Sequence, residues 1–182
     1  MNIFLVSNNP VECAKALDDL RLNKMILETG QMLCTAYLHY APQYGWPLTF
    51  EGIYKETHKN HPCNVWLRES INNYKWTLNL FAALADEKFY RTGKTHLSYI
   101  KLFEPLAIVS HYNNYPSPKF TFDCSNVSVE LNSVFDKYKL CLCTKWNLDM
   151  RPATWTKRSF PKWVKLAGNP GHQFYQLNIA MA

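Results

Sequence analysis

The stretch NHPCNVWLRESINNYKWTLNLFAALADEKFYRTG, residues 60–93, decides the fold class of this chain. Its apolar residues recur every three or four positions, which is the spacing of one face of an α-helix. This stripe consists of Leu67, Ile71, Tyr74, Leu78, Phe81, Ala85 and Phe89. The helix would begin at Asn60-His61-Pro62, where a capping residue precedes a first-turn proline, and would end at Gly93. The sequence therefore predicts one long helix with a signal at each end.

Similar patterns lie on both sides of this stretch. Asn9 followed by Pro10 predicts a helix start. A second helical pattern runs from Met25 to about residue 40, and Gly30 within it is either a weak point or a site of close approach. The other predicted elements are helices over 96–103, ending before Pro105, and over 127–146, with loops over 41–47 and 113–120 and an aperiodic tail from 168.

The apolar run from Asn2 to Val6 is too short for a helix, so it is either a buried strand or an extended N-terminal plug. A chain of 182 residues has the length of one domain. We therefore expect a mainly α fold, a single compact helical domain over residues 1–182 with a short extended N-terminal segment. We expect four or five helices and at most one small strand.

The composition excludes several classes of protein. A hydrophobic content of 47% with 19% charged residues argues against disorder and against a coiled coil. No apolar run approaches the ~18 residues of a membrane span, and the opening lacks the features of a signal peptide. Because the six cysteines contain no CxxC pair, we expect reduced, mostly buried thiols. We expect a monomer in the cytoplasm, in that of the host if the chain is viral, without membrane contact.

The positive charge is concentrated in residues 137–165. This segment carries eight cations and one anion, whereas residues 1–136 carry 12 cations and 13 anions. Trp146, Trp155, Phe160 and Trp163 are interleaved with these cations. One interpretation is a nucleic-acid face that neutralises phosphates and stacks on bases. The other is an ordinary solvated basic region whose tryptophans pack inward, and composition does not separate the two.

Two further clusters contain polar groups of the types that catalyse reactions or bind ligands. Asp18 and Asp19 lie near the apolar faces of the first two helices, although an exposed polar face with pairs such as Lys24 and Glu28 explains such residues equally. The segment from His58 to Cys63 holds two histidines and a thiol. We expect no metal there, because zinc needs four ligands and the cysteines at 141 and 143 are badly spaced.

A capping role fits the second cluster better. His61 or Asn60 would cap the long helix, and its positive end would hold a phosphate together with His58 and Lys59. Glycine-rich phosphate loops, GxSxG and HExxH are absent from the sequence, so no cofactor is expected.

Three short motifs carry a resemblance to a known family. The opening NIFLVS looks like N-L-T-L-V-S, NHP precedes a long helix, and Arg151-Pro152-Ala153-Thr154-Trp155-Thr156-Lys157 resembles R-P-T-W-Y-K with one residue inserted. These motifs, in this order, are similar to those of the small pyrimidine-dimer DNA glycosylases of the phage endonuclease V type. The match covers about a third of the chain.

The resemblance implies a carboxylate that works with the α-amino group of the chain itself. Aligning LDDLRLNKMIL with the W-R-E-x-L-L-A-x-x-V-L of the family places its catalytic glutamate on Asp19. The arginine of the family falls on Asp18, so the phosphate contact would come from Arg21 or Lys24. The terminal threonine of the family is replaced by Asn2, so the nucleophilic amine would belong to Met1 or Asn2.

Such an amine is a chemically reasonable nucleophile. An unperturbed α-amino group has a pKa near ~7.7–8.0, so a neutral fraction exists at physiological pH. It can attack the sugar C1′, displace the base and leave a Schiff base, while the carboxylate stabilises positive charge on the sugar. Reaching C1′ requires an extruded base, which is easiest at a damaged site. The residues expected to bind the backbone and fill the gap are Arg151, Trp155, Lys157, Arg158, Lys162 and Trp163.

Three hypotheses about function follow. The first is a DNA glycosylase, with or without AP-lyase activity, that acts on double-stranded DNA carrying a damaged or modified base, most simply a pyrimidine. The second is a non-catalytic nucleic-acid binder that uses the same basic face. The third is a base-modifying enzyme on a glycosylase-like scaffold, since a fold does not determine a reaction.

Overall fold

A computed structural model describes residues 1–108, 118–131, 133–168 and 173–178 of the chain. Its helices are α1 (Pro10–Ala16), α2 (Asp19–Tyr44), α3 (Pro62–Leu67), α4 (Ile71–Thr92), α5 (Leu97–Leu106) and α6 (Val134–Leu148). Strands β1 (Val164–Ala167) and β2 (Phe174–Leu177) form an antiparallel hairpin in which Val164 pairs with Leu177. The predicted mainly α class is confirmed, and the hairpin in the basic segment and tail is an addition to it.

The core lies between α2 and α4, and α1 and α5 pack on this pair. The stripe predicted for the long helix is buried there from Leu67 to Ala85, with Tyr74 and Phe81 fully buried, but its last member, Phe89, is 56% exposed. The N-terminal segment is a buried plug, because Ile3 to Val6 are at most 5% exposed and belong to neither strand. It is not extended throughout as expected, since Phe4 has a φ of 49° and the Val6 N–H donates to the Phe4 carbonyl at 2.9 Å. Within the described residues, no helix combines the length and apolar character needed to cross a bilayer.

Side-chain caps explain where the helices begin and why the predicted long helix is broken. The long helix divides into α3 and α4 because the Ser70 side chain accepts the Asn73 N–H and starts a new helix. In the same way Asp18 accepts the Arg21 N–H, so α1 ends and α2 begins at a bend around Leu17. The predicted ends at Asn9 and Gly93 are confirmed, and Gly93 has a φ of 69°, a value that favours glycine.

Other boundaries differ from the prediction. Pro42 and Pro105 lie inside the last turns of α2 and α5, where a proline removes only one hydrogen bond of the helix, so both helices run further than expected. Helix α6 begins at Val134 rather than at residue 127, because Ser133 caps it. The part of the predicted loop over residues 113–117 lies outside the described residues.

Candidate active site

Asp19 has a structural role in this fold. Its carboxylate accepts hydrogen bonds from Arg91 Nη1 at 3.0 Å, Thr154 Oγ1 at 2.9 Å and Thr156 Oγ1 at 2.8 Å, and from the Thr156 N–H. Burial alone would raise the pKa of Asp19, but these hydrogen bonds outweigh it and hold the pKa below its ordinary value. Both carboxylate oxygens are therefore engaged in fixing residues 154–156 to the start of α2.

The carboxylate beside the chain terminus is Glu28. The α-amino nitrogen of Met1 lies 3.5 Å from Glu28 Oε2, and the Asn2 N–H donates to the same oxygen at 3.2 Å. Glu28 follows Asp19 by nine residues on α2, so the two carboxylates lie about 13 Å apart along the helix axis. The alignment that placed the catalytic carboxylate on Asp19 is therefore not supported by the geometry, since Glu28 occupies the position beside the amine.

The terminus itself is firmly held. The Met1 side chain is 3% exposed, and its Sδ accepts a hydrogen bond from Asn64 Nδ2 at 3.4 Å. The Asn2 side chain accepts the N–H groups of Ile3 and Phe4 and donates to the Cys124 carbonyl at 3.0 Å. Because Glu28 contacts the nitrogens of both Met1 and Asn2, it would face a terminal amine whether or not the initiator methionine is removed.

Glu28 and the terminal amine open into a polar cavity of about 530 Å³. The cavity is lined by Met1, Asn2, Phe4, Leu20, Arg21, Lys24, Met25, Glu28, His61, Pro62, Asp123, Cys124, Asn126, Lys145 and Asp149. Amine, carboxylate, imidazole and three cationic side chains thus share one space large enough for a nucleotide fragment. We call this space the terminal pocket.

The two cations predicted to bind phosphate differ in availability. Arg21 is 9% exposed, and its guanidinium is held by Asp18 at 3.0 Å and by both oxygens of Asp149 at 2.7 and 3.1 Å. Lys24 is 66% exposed in its side chain and lies 3.6 Å from Glu28 Oε1. Of these two cations, Lys24 is therefore the one that can reach a ligand without breaking a buried ion pair.

Of the histidines and the lysine in the segment from His58 to Cys63, only His61 lines the terminal pocket. His61 lines it and caps α3, because Nδ1 accepts the Cys63 N–H at 3.3 Å. Burial, followed by the positive charges of the terminal amine and His58, lowers the pKa of His61. His58 and Lys59 are exposed and contact Thr57 and Glu56. Since α3 ends after six residues instead of continuing to Gly93, the phosphate site at its amino end is not retained.

A second cavity of about 640 Å³ lies on the other side of the N-terminal segment. Its lining includes Lys15, Lys139, Lys157, Arg158 and Lys162 with Phe160 and Trp163. Val6 and Ser7 also line it, whereas Phe4 lines the terminal pocket, so both cavities adjoin the N-terminal segment. We call this cavity the basic groove.

Some aromatic residues of the basic segment pack inward, and others lie where a nucleic acid could contact them. Trp146 and Trp155 are 2% and 9% exposed, and Trp155 Nε1 donates to the Ala16 carbonyl, so both pack inward. Trp163 stacks on Trp146 and lines the basic groove with Phe160, which is 39% exposed. The expected stacking surface therefore lies on Trp163 and Phe160, whereas Trp155 belongs to the core.

The cations of the RPATWTK motif, Arg151 and Lys157, and the cations Arg158 and Lys162 that follow it divide in the same way. Arg158 is bound by the Glu87 carboxylate and lies 4.5 Å from the centre of the Tyr90 ring. Lys157 donates to the Tyr90 carbonyl at 3.0 Å. Arg151 and Lys162 are exposed. In this fold the motif thus fastens the basic segment to α4, and its outer cations remain accessible to a ligand.

Cys63 and Cys124 form a pair that the sequence did not indicate. Their sulfurs are 3.7 Å apart, and Cys63 donates a hydrogen bond that lowers the pKa of Cys124 to about 7. All six cysteines are free in this structure, and the expectation that most of them are buried is confirmed for five. The two cysteines are 61 positions apart in the sequence, so they form no spacing motif that could have been recognised.

Comparison of the chain with models of protein families, with curated proteins and with solved structures gave no significant match. The geometry of the terminal pocket and the basic groove is therefore the basis for the function argued below.

Proposed function

We propose that this chain is a DNA glycosylase with AP-lyase activity, in which the terminal α-amine is the nucleophile and Glu28 the catalytic carboxylate. The observation that carries the proposal is the 3.5 Å separation between the Met1 nitrogen and Glu28 Oε2 in an open polar pocket. Amine and carboxylate are the two groups that the resemblance to pyrimidine-dimer glycosylases implies. The structure supports a different carboxylate from the one suggested by the sequence alignment.

The chemistry follows from these two groups. The amine nitrogen forms a bond to C1′ of the sugar while the bond between C1′ and the base breaks, and the base takes up a proton as it leaves. Glu28 is close enough to accept the proton that the attacking nitrogen loses. Its negative charge would also stabilise the positive charge that develops on the sugar. The proton that Glu28 has accepted passes to O4′ as the C1′–O4′ bond breaks and gives an iminium. The Glu28 carboxylate then takes the C2′ proton while the C3′–O bond breaks and the 3′ phosphate leaves.

The substrate would be double-stranded DNA with an extruded nucleotide. A nucleotide has to leave the helix to reach the amine, and extrusion is easiest at a damaged or modified base, for which we propose a pyrimidine. Lys24 at the terminal pocket can contact its phosphate. The basic groove would bind the flanking backbone, because Lys162, Phe160 and Trp163 offer charge and ring surface there.

Borohydride trapping tests this proposal directly. The chain is incubated with duplexes carrying an abasic site, a thymine dimer or a modified pyrimidine, and the cross-link is mapped by mass spectrometry. We expect a secondary amine at the first residue, loss of the cross-link in Glu28→Gln, and an unchanged cross-link in the exposed control Glu51→Gln. A short peptide added ahead of Met1 should abolish trapping, because it removes the amine from Glu28.

Other outcomes would point to the remaining hypotheses. Release of free base without a cross-link would mean a glycosylase that uses water, and a base of altered mass on an intact sugar would mean a base-modifying enzyme. A second candidate, a non-catalytic nucleic-acid binder, is favoured by the basic groove itself, whose lining contains five cations. Salt-dependent binding that is unaffected by Glu28→Gln, with no chemical product, would establish it.

A further inference from the structure

His61, Cys63 and Cys124 form a compact cluster at the wall of the terminal pocket. One potential ligand atom from each residue lies within 4.8 Å of the other two. His61 and Cys63 belong to the first turn of α3 and its cap, whereas Cys124 comes from the segment 118–131 that packs beside it. The fold therefore brings together three residues of the types that bind thiophilic metals.

The sulfur separation is that of a metal site. Two thiolates bound to one tetrahedral zinc at about 2.3 Å each lie about 3.8 Å from each other. The observed distance between Cys63 Sγ and Cys124 Sγ is 3.7 Å. A disulfide would instead require the sulfurs to approach to about 2.05 Å. The pair is thus already spaced for a shared metal ion.

His61 supplies the third potential ligand of the cluster. One of its ring nitrogens is within 4.8 Å of both sulfurs. Metal binding would replace two weak interactions, the 3.3 Å hydrogen bond from the Cys63 N–H to Nδ1 and the hydrogen bond from the Cys63 thiol to Cys124. His61 and Cys124 also line the terminal pocket.

We propose that His61, Cys63 and Cys124 bind one zinc ion, with the fourth coordination position open to the terminal pocket. Two cysteines and one histidine with an open position are the ligand set of catalytic rather than structural zinc sites. A water bound there would be acidified by the metal and would share the pocket with Glu28. Binding converts two thiols to thiolates, so up to two protons are released per zinc. This inference does not depend on the terminal amine acting as a nucleophile.

Metal analysis of the full-length chain tests the proposal. We expect one zinc per chain after purification in zinc-containing buffer, and tetrahedral thiolate bands when apoprotein is titrated with Co²⁺. His61→Gln, Cys63→Ser and Cys124→Ser should each weaken binding at least about tenfold. Cys143→Ser, which changes a buried thiol outside the cluster, should bind metal as the unmodified chain does.

Three results would overturn the proposal. The first is apoprotein of the unmodified sequence that binds neither Zn²⁺ nor Co²⁺, a result that does not depend on whether any variant folds. The second is a Cys63–Cys124 disulfide in the purified chain, seen as the loss of two hydrogen masses. The third is binding that persists in Cys63→Ser or Cys124→Ser. None of these results bears on borohydride trapping, so failure of the metal site is distinguishable from failure of the proposed glycosylase.

Discussion

At the scale of single residues, Arg91 joins three helices that lie far apart in the sequence. Its side chain is fully buried, and its guanidinium binds Glu87 at 2.8 Å and Asp19 at 3.0 Å. It also donates to the carbonyls of Lys15 and Leu17 at the end of α1, where a cation compensates the helix dipole. Arg91 thus joins α1, α2 and α4 at the bend between the first two helices.

Replacing Arg91 should therefore destabilise the protein strongly. Arg91→Gln removes the ion pairs with Asp19 and Glu87, which keep only their contacts with the two threonines and with Arg158. We expect a loss of about 3 kcal/mol in the free energy of unfolding. Urea unfolding followed by circular dichroism measures this loss. Arg91→Lys, which keeps the charge, should lose less, and the exposed neighbour Lys94→Gln should match the unmodified chain. A loss below about 1 kcal/mol for Arg91→Gln would contradict the interpretation.

The substitution Asp19→Asn tests whether Asp19 or Glu28 is the catalytic carboxylate. The substituted amide would keep some hydrogen bonds but lose the ion pair with Arg91, so we expect lower stability at neutral pH. The cross-link yield in borohydride trapping should stay at that of the unmodified chain, because Asp19 is engaged with residues 154–156 away from the amine. Loss of trapping in a folded Asp19→Asn protein would restore Asp19 as the catalytic residue.

At the scale of elements, Gly30 determines how closely α2 packs against its neighbours. A Cβ at this position would lie 3.0 Å from Leu102 Cδ1 on α5 and 3.4 Å from the Phe81 ring on α4. Of the two roles considered from the sequence, weak point or close approach, the structure supports the close approach. Glycine is the residue that leaves room for both helices.

Gly30→Ala should accordingly destabilise the fold in spite of its better helix propensity. Overpacking costs about 1–3 kcal/mol and the propensity gain returns about 1 kcal/mol, so we expect a net loss of about 1 kcal/mol. A double-mutant cycle with Leu102→Ala measures the coupling by thermal unfolding. The loss caused by Gly30→Ala should shrink when Leu102 is truncated, and additive effects would argue against the contact.

At the scale of the whole molecule, stability should fall in acid. Burial would raise the pKa of Asp19 and Glu87, but hydrogen bonds from Arg91, from Arg158 and from the two threonines lower both pKa values. Carboxyls with lowered pKa stabilise the fold above their unfolded values of about 3.9 and 4.3, and this contribution is lost as pH falls through the folded values. The free energy of unfolding should thus decrease below about pH 4.5. Urea titrations at several pH values would show a flatter decline in Glu87→Gln than in Glu51→Gln.

Binding to nucleic acid is a second property of the whole molecule. Lys162 is exposed in the basic groove, so Lys162→Gln should reduce the salt dependence of duplex binding by about one unit of log–log slope without altering stability. Arg158→Gln should lower stability as well, because Arg158 is bound to the buried Glu87. Fluorescence anisotropy over a range of salt concentrations measures the slope. An unchanged slope in Lys162→Gln would place the binding surface elsewhere.

The sequence predicted the helical class and several helix ends well, because these depend on local interactions. The stripe around Tyr74 and Phe81, the cap at Asn9 and the stop at Gly93 each rest on residues within a few positions of one another. The breaks at Asp18 and Ser70 were missed, since the apolar period continues across both residues. The hairpin at 164–177 was missed because its strands are four residues long and their alternation is weak.

The sequence by itself determined the mainly α fold, the concentration of charge in residues 137–165 and the candidate types of functional group. Only the tertiary structure decided which of these groups meet. It placed Glu28 rather than Asp19 beside the terminal amine, and it brought Cys124 to within 3.7 Å of Cys63. The physical reason is that helix periodicity and capping act over a few residues, whereas these contacts join positions 27 and 61 residues apart through packing of the whole chain.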